Sequence, residues 1–183
     1  HYTPAGWEAV VPRLFRQVVV ERMVRVISVL QRLKIPEWAG RVPPGFRMAP
    51  ITQRLLASPI DHVDRVVDEI SGGWHSTADF LTHGFGYCLI KEQDGAARAE
   101  NVCWCTAEYV SSRRLGIGIE TRAEYQRCGL ATLTAAAFAE QCQARGLTAY
   151  WDAFASNVPS LAVATKVGFQ RAAEYAVFLA RPR

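Results

Sequence analysis

The sequence contains no uninterrupted apolar run of the roughly 18 residues that a membrane span requires. Its most hydrophobic stretch near the start, residues 18–33, is broken by Glu21, Arg22, Arg25 and Arg32. That stretch also lacks the basic, apolar and small-residue layout of a signal peptide. No membrane partner is expected. The five cysteines, Cys88, Cys103, Cys105, Cys128 and Cys142, are odd in number and follow no disulfide framework, which favours reduced thiols and a cytoplasmic setting. Lys and Arg exceed Asp and Glu by only four, and no basic run is present. That balance does not fit a nucleic-acid binder, and it suits a small anionic cofactor at least as well. Internal repeats and low-complexity tracts are also missing.

What is present is a globular composition: 183 residues, 50% hydrophobic and 21% charged. This length supports one substantial core, so one catalytic domain with an appendage is the natural expectation. The breakers Pro36 and Pro43-Pro44-Gly45 mark the division, giving an N-terminal extension over 1–44 and a domain over 45–183. Within the extension, residues 18–33 are rich in Val and Arg. Val26, Leu30 and Leu33 share a helical face, so 23–33 is expected as helix, with a strand pair as the alternative.

After the breakers, 46–51 alternates as a strand. Residues 60–70 place Ile60, Val63, Val66, Val67 and Ile70 on one helical face, and Ser76 caps a short helix carrying Phe80 and Leu81. Three strands follow over 85–91, 101–110 and 115–121, joined by polar turns at Gln93-Asp94-Gly95 and Ser111-Ser112-Arg113-Arg114. Such short links favour an antiparallel meander. A helix over 130–144 ends at Gly146; then come a strand over 148–154, a helix over 157–167 and a strand over 173–179. The order implies the α/β class, with a mixed sheet carrying helices on its faces.

Between the strand ending at Thr121 and the helix from 130, the turn carries Arg122, Gln126 and Arg127, then two small residues, Gly129 and Ala131. The first N–H groups of a helix lack internal partners, and the aligned dipole adds about half a positive charge there. Small residues at alternate positions let an anion approach those groups. Taken alone, Q-x-x-G-x-A is equally the pattern of a turn-ending glycine and a packed alanine. A dinucleotide-binding turn would need a third glycine, and a P-loop would need Lys followed by Ser or Thr.

The string Gln126-Arg127-Cys128-Gly129-Leu130-Ala131, followed by Asn157-x-x-Ser160 and Lys166-Val-Gly168-Phe169, resembles the GNAT acetyltransferase superfamily in motif order and spacing over residues 45–180. Gly116-Ile-Gly-Ile-Glu-Thr, Tyr150-Trp-Asp and the phrase from Ser160 to Phe169 look like the branch that contains the zwittermicin-resistance acetyltransferase. The resemblance implies a splayed, mostly antiparallel sheet and acetyl-CoA as co-substrate, with no metal. The pantetheine arm would pair with Ile119, Glu120 and Thr121, and one of those N–H groups could stabilise the thioester oxyanion. The pyrophosphate would lie on Gln126, Arg127, Cys128, Gly129, Leu130, Ala131 and Thr132, and an amide contact would fall on Asn157. The expected acceptor is a primary amine on a small molecule, attacking directly in a ternary complex. A protein or peptide amine, or an acyl-CoA sensor without chemistry, are the alternatives. A homodimer is one option for assembly.

An alkyl amine, with a pKa of about 10, arrives protonated, so a base is needed. Asp152 is the first candidate and Glu120 the second; either alone is also explained as a structural carboxylate. Many relatives carry a Tyr seven residues after the Asn as proton donor, but Ala164 stands there. Ser160 and Tyr175 are the candidate replacements. Gly116 and Gly118 alternate on one strand face, which points either to close access or to tight packing. Cys103 and Cys105 have no matching metal pair, and no His base accompanies Cys128. Asp61, His62, Arg65 and His75 lie on the helical segment that borders the acceptor site in the superfamily. A solvated helix face explains them equally.

Overall fold

A computed structural model describes residues 7–15, 18–92 and 98–182; the turn expected at Gln93-Asp94-Gly95 lies outside the described residues. The meander forms as its short links require. Strands β3 (Gly86–Lys91), β4 (Glu100–Ser111) and β5 (Arg114–Thr121) run antiparallel in succession, with β2 (Phe46–Pro50) antiparallel to β3. Strand β6 (Thr148–Phe154) then pairs parallel with β5. The sheet has seven strands in the order β2-β3-β4-β5-β6-β1-β7, where β1 is Val18–Leu30 and β7 is Phe169–Pro182.

The helix expected over 23–33 is a strand. Val26 and Leu30 are four apart, a spacing that alternation satisfies as well as a helix does, and Ser28 lies between them on the same face. The β-branched residues Val24, Val26, Ile27 and Val29 favour the pleated state, in which β1 is held on both sides. It pairs antiparallel with β6 over 25–29 and with β7 along its whole length. The first strand of the chain thus lies between the last two. A partner of this length also explains why β7 exceeds the expected 173–179.

Helices cover both faces. Before the sheet begins, α1 spans Trp7–Leu14, and the short α2 spans Gln53–Leu56. Helix α3 (Val63–Gly73) buries Val63, Val66 and Ile70. Helix α4 (Thr77–His83) starts at Ser76, whose hydroxyl accepts from Asp79 N–H at 3.0 Å. On the other face, α5 (Leu130–Ala144) is buried around most of its circumference, because α6 (Val158–Val167) and the short turn at Trp38–Arg41 pack against it in addition to the sheet. Phe138 on α5 stacks on Phe85 at 4.6 Å between centroids, and both are buried. Each such ring stabilises the fold by about 1.5–3 kcal/mol. No described helix is long and apolar enough to cross a membrane.

Candidate active site

Strands β5 and β6 pair only over 114–116 and 148–150 and then diverge, since β6 follows β1 while β5 follows β4. Beyond Gly116, β5 keeps its β4 ladder, and its other edge opens into a cavity of about 200 Å³. Ile117, Gly118 and Ile119 line one wall of this fork, and Trp151 to Phe154 line the other, with Asn157 and Ser160 at its end. Ile119, Glu120 and Thr121, the expected donor-strand residues, lie along β5 on this side. An unpaired edge of this kind offers N–H and C=O groups to an extended ligand.

The turn after β5 is tied down from below. Partly buried Glu100 accepts hydrogen bonds from Arg122 Nη1 and Tyr125 Oη, and Lys91 Nζ donates to Tyr125 Oη at 3.1 Å. Burial pushes the Glu100 carboxyl up, but Tyr125 and Arg122 outweigh it and hold the group below its ordinary value. Above this anchor, Arg127 (φ 61°) and Gly129 (φ 80°) are both left-handed, so the chain turns sharply into α5. Gly129 is required by that angle and not by crowding, for a Cβ there would meet nothing within 4 Å. Cys128, Gly129 and Arg127 are exposed, Ala131 and Thr132 are half-buried, and Leu130 points into the core at 3% exposure. The exposed Gln126 amide donates to Thr121 O at 3.0 Å and so braces the turn. At the start of α5, Thr132 N–H donates to Gly129 O at 3.0 Å, while the N–H groups of Leu130 and Ala131 come too early in the helix to find an intrahelical acceptor.

Asp152 lies on β6 at the fork, with both carboxylate oxygens engaged. Arg25 Nε donates to one at 2.9 Å, and the Tyr175 hydroxyl donates to the other. Arg25 comes from β1 and Tyr175 from β7, so the three strands converge there; Arg25 also stacks on Phe154 at 4.6 Å. Burial and the Asp152 charge push the Tyr175 phenol up, which keeps it a neutral donor. Ser160 accepts from Trp151 Nε1 at 2.9 Å, and its N–H donates to Asn157 Oδ1, so Asn157 caps α6. Ala164 is 1% exposed and supplies no proton donor.

Beside the fork, a second cavity of about 540 Å³ opens between α3 and strands β4 and β5. Trp74 and Trp104 give it apolar walls, while Asp68, Glu69, Glu108 and Glu120 make it acidic and Arg65 stands at its rim. Glu120 therefore faces this cleft. Glu69 and Glu108 were not legible in the sequence. Glu108 stands where the β4–β5 register shifts between Ala107 and Tyr109, a bulge that re-aims the chain toward α3. Gly118 makes room for both: a Cβ there would lie 3.0 Å from Glu69 Oε1 and 3.2 Å from Glu108 Cγ. Gly116 likewise leaves room for the Tyr109 ring. Tight packing by the protein's own side chains thus explains both glycines. Burial, then the Glu120 charge, pushes the Glu69 carboxyl up. Glu108 keeps much of its surface open, yet the surrounding protein and then Glu69 push it up as well, against Arg25.

Other residues singled out in the sequence lie elsewhere. Asp61 and His62 line another cavity, near the start of α3, and His62 (φ 65°) is the left-handed residue that starts that helix. Cys103 and Cys105 are buried; burial pushes Cys103 up to about 11 and Cys105 well above its ordinary value, so both are inert thiols.

The fork, the anion-facing helix start and the flanking sheet coincide with a known family: the model for the GNAT acetyltransferases matches residues 6–178. The chain belongs to the GNAT acetyltransferase family. A relative, the uncharacterized N-acetyltransferase YdfB of Bacillus subtilis (strain 168), is 30% identical over 105 residues. The match covers 57% of this chain, which spans only 38% of that protein's length. Among solved structures, a GCN5-related N-acetyltransferase-like protein from Streptococcus suis 89/1591 superposes with a TM-score of 0.77 at 22% identity. That superposition covers 97% of this chain and 69% of the other. A GCN5-related N-acetyltransferase from Sphaerobacter thermophilus gives 0.60 at 14% identity, over 98% and 58%. These likenesses establish the GNAT fold.

Proposed function

We propose that this GNAT domain transfers an acetyl group from acetyl-CoA to a primary amine of a small molecule, by direct attack in a ternary complex. The carrying observation is that the β5–β6 fork opens beside an acidic, tryptophan-walled cleft, so a thioester in one cavity and an ammonium in the other would meet. In this reading, the open edge of 119–121 pairs with the pantetheine arm. The turn and helix start over 126–132 hold the pyrophosphate through backbone N–H groups, and Asn157 and Ser160 lie at the end of the fork.

Acidic walls favour a cationic acceptor, since carboxylates lining a cleft concentrate an ammonium. Glu120 stands in the cleft as a carboxylate for the amine. Asp152, fixed by Arg25 and Tyr175, shapes the wall of the fork, and Ser160, which lines the fork, and Tyr175, which is bonded to Asp152, are the candidate proton donors for the departing thiolate. We place the chain in the branch resembling the zwittermicin-resistance acetyltransferase on residues 116–121, 150–152 and 160–169, and in the cytoplasm on its unpaired cysteines. The buried Ala164, where relatives carry a tyrosine, favours the second reading, an acyl-CoA sensor without chemistry.

The two are separated by incubating the protein with acetyl-CoA and a panel of alkyl diamines, amino sugars and a lysine-containing peptide, following release of CoA thiol. Turnover with the small amines is expected. Tight acetyl-CoA binding with no thiol release from any amine would establish the sensor, and turnover confined to the peptide would overturn the small-molecule acceptor.

A further inference from the structure

The nucleophile must cross from the acceptor cleft to the fork, and the side chains at that crossing can be named. Of the residues lining the two cavities, Glu69 and Glu108 are the ones common to both. Glu120 lines only the cleft, and Asp152 lines only the fork. Glu69 comes from α3 and Glu108 from the β4 bulge, and Gly118 beneath them leaves the space in which they approach each other.

We propose that Glu69 and Glu108 together are the proton acceptor of acetyl transfer, touching the amine as it passes from the cleft to the thioester. This rests on the function proposed above. The ammonium gives one proton to the pair, which passes it to solvent through the open cleft. The freed nitrogen lone pair forms the N–C bond to the acetyl carbonyl as the C–S bond breaks. The second nitrogen proton moves to the pair, and the departing thiolate takes up a proton. The products are the N-acetyl amide and CoA thiol, with one proton released overall. Two carboxylates suit this task better than one, because each raises the other's affinity for a proton and either can relay it. The groups facing the pair are Arg65 and Asp68 on α3, Glu120 on β5, Asp152 on β6 and Arg25 on β1.

The test compares Glu69→Gln, Glu108→Gln and the double variant with Glu120→Gln and Asp152→Asn, using 1,4-diaminobutane as acceptor across a pH series. Acetyl-CoA binding by calorimetry and thermal melting are followed in parallel. The expected result is a loss of kcat/KM of about a hundredfold or more in the double variant. Its acetyl-CoA affinity should stay within twofold of wild type, and activity should recover at higher pH. Aniline, which arrives neutral and needs the pair only for the second proton, should lose less than the diamine, and Glu69→Asp with Glu108→Asp should restore part of the rate. A double variant that keeps kcat/KM within threefold of wild type, or loses as much with aniline as with the diamine, overturns the pair while leaving acetyl transfer standing. Wild-type protein that binds acetyl-CoA but acetylates no amine overturns the reading on which the pair rests.

Discussion

Replacing Arg25 with methionine probes whether β1 builds the site or merely borders it. The Arg25–Asp152 pair is 2.9 Å long, with side chains 27% and 34% exposed, so it lies between two limits. Exposed pairs stabilise by about 0.2–1 kcal/mol, and breaking a buried one costs about 3–5. Loss of the guanidinium over the Phe154 ring, 4.6 Å away, adds about 0.5–1 kcal/mol. The methionine keeps most of the apolar stem, so the whole loss should be about 2 kcal/mol, or about 4–8 °C in melting temperature for a chain of this size. A thermal double-mutant cycle with Asp152→Asn should give a coupling of about 1–2 kcal/mol. Arg25 also opposes the raised carboxyl of Glu108, so its removal moves that group further up and shifts the acid limb of the rate profile to higher pH. Melting within 1 °C of wild type, or additivity within about 0.3 kcal/mol, would refute the coupling of β1 to the fork.

The raised Glu69 carboxyl carries a stability cost with a definite sign. As pH rises past the ordinary value of 4.5, the unfolded chain ionises first, so wild-type stability falls until pH passes the raised folded value. Glu69→Gln should therefore melt higher than wild type at pH 7.5, by no more than about 1 kcal/mol or 2–4 °C, given solvent screening of a half-buried group. The two should converge near pH 4, as scanning calorimetry at the two pH values would show. Glu100 has the opposite sign: its lowered carboxyl stabilises the fold above the unfolded value, and that contribution disappears as pH falls through the folded one. Glu100→Gln should loosen the turn that Arg122 and Tyr125 hold, weakening acetyl-CoA binding about tenfold, or about 1.4 kcal/mol, by calorimetry at pH 7. Unchanged affinity would mean that the turn holds its shape without this anchor.

The meander over 86–121 and the helices from 63, 77, 130 and 158 were legible because each shows a local period or cap that tertiary packing then respects. Strand β1 was not, because four-residue spacing between Val26 and Leu30 serves both periods and only the ladders to β6 and β7 decide. The site divides in the same way. The turn at Gln126 to Ala131 is contiguous, so its residue types, taken with the strand before it and the Asn157 motif after it, mark it. Glu69 follows Asp68 on a helix whose outer face reads as solvated, and Glu108 interrupts an alternating strand at a bulge. Neither carries a local signal of its partner. Gly118 was the nearest clue, since a glycine in a strand marks a close approach; what approaches it is the pair of carboxylates.

The position of β1 changes what the residues before 45 contribute. A strand at the start of the chain that lies between β6 and β7 closes two edges at once, and without it both neighbours would face solvent with unpaired N–H and C=O groups. It also delivers Arg25 to Asp152 and holds β6 away from β5, since β6 follows the strand to which it is laddered over 150–154. The fork is a consequence of that competition: three residues of β5 are enough to start the parallel pairing, and the longer antiparallel ladder to β1 turns β6 aside from the rest. The opening in which a thioester arm would lie is therefore set by the segment most remote in sequence from the motifs that mark it.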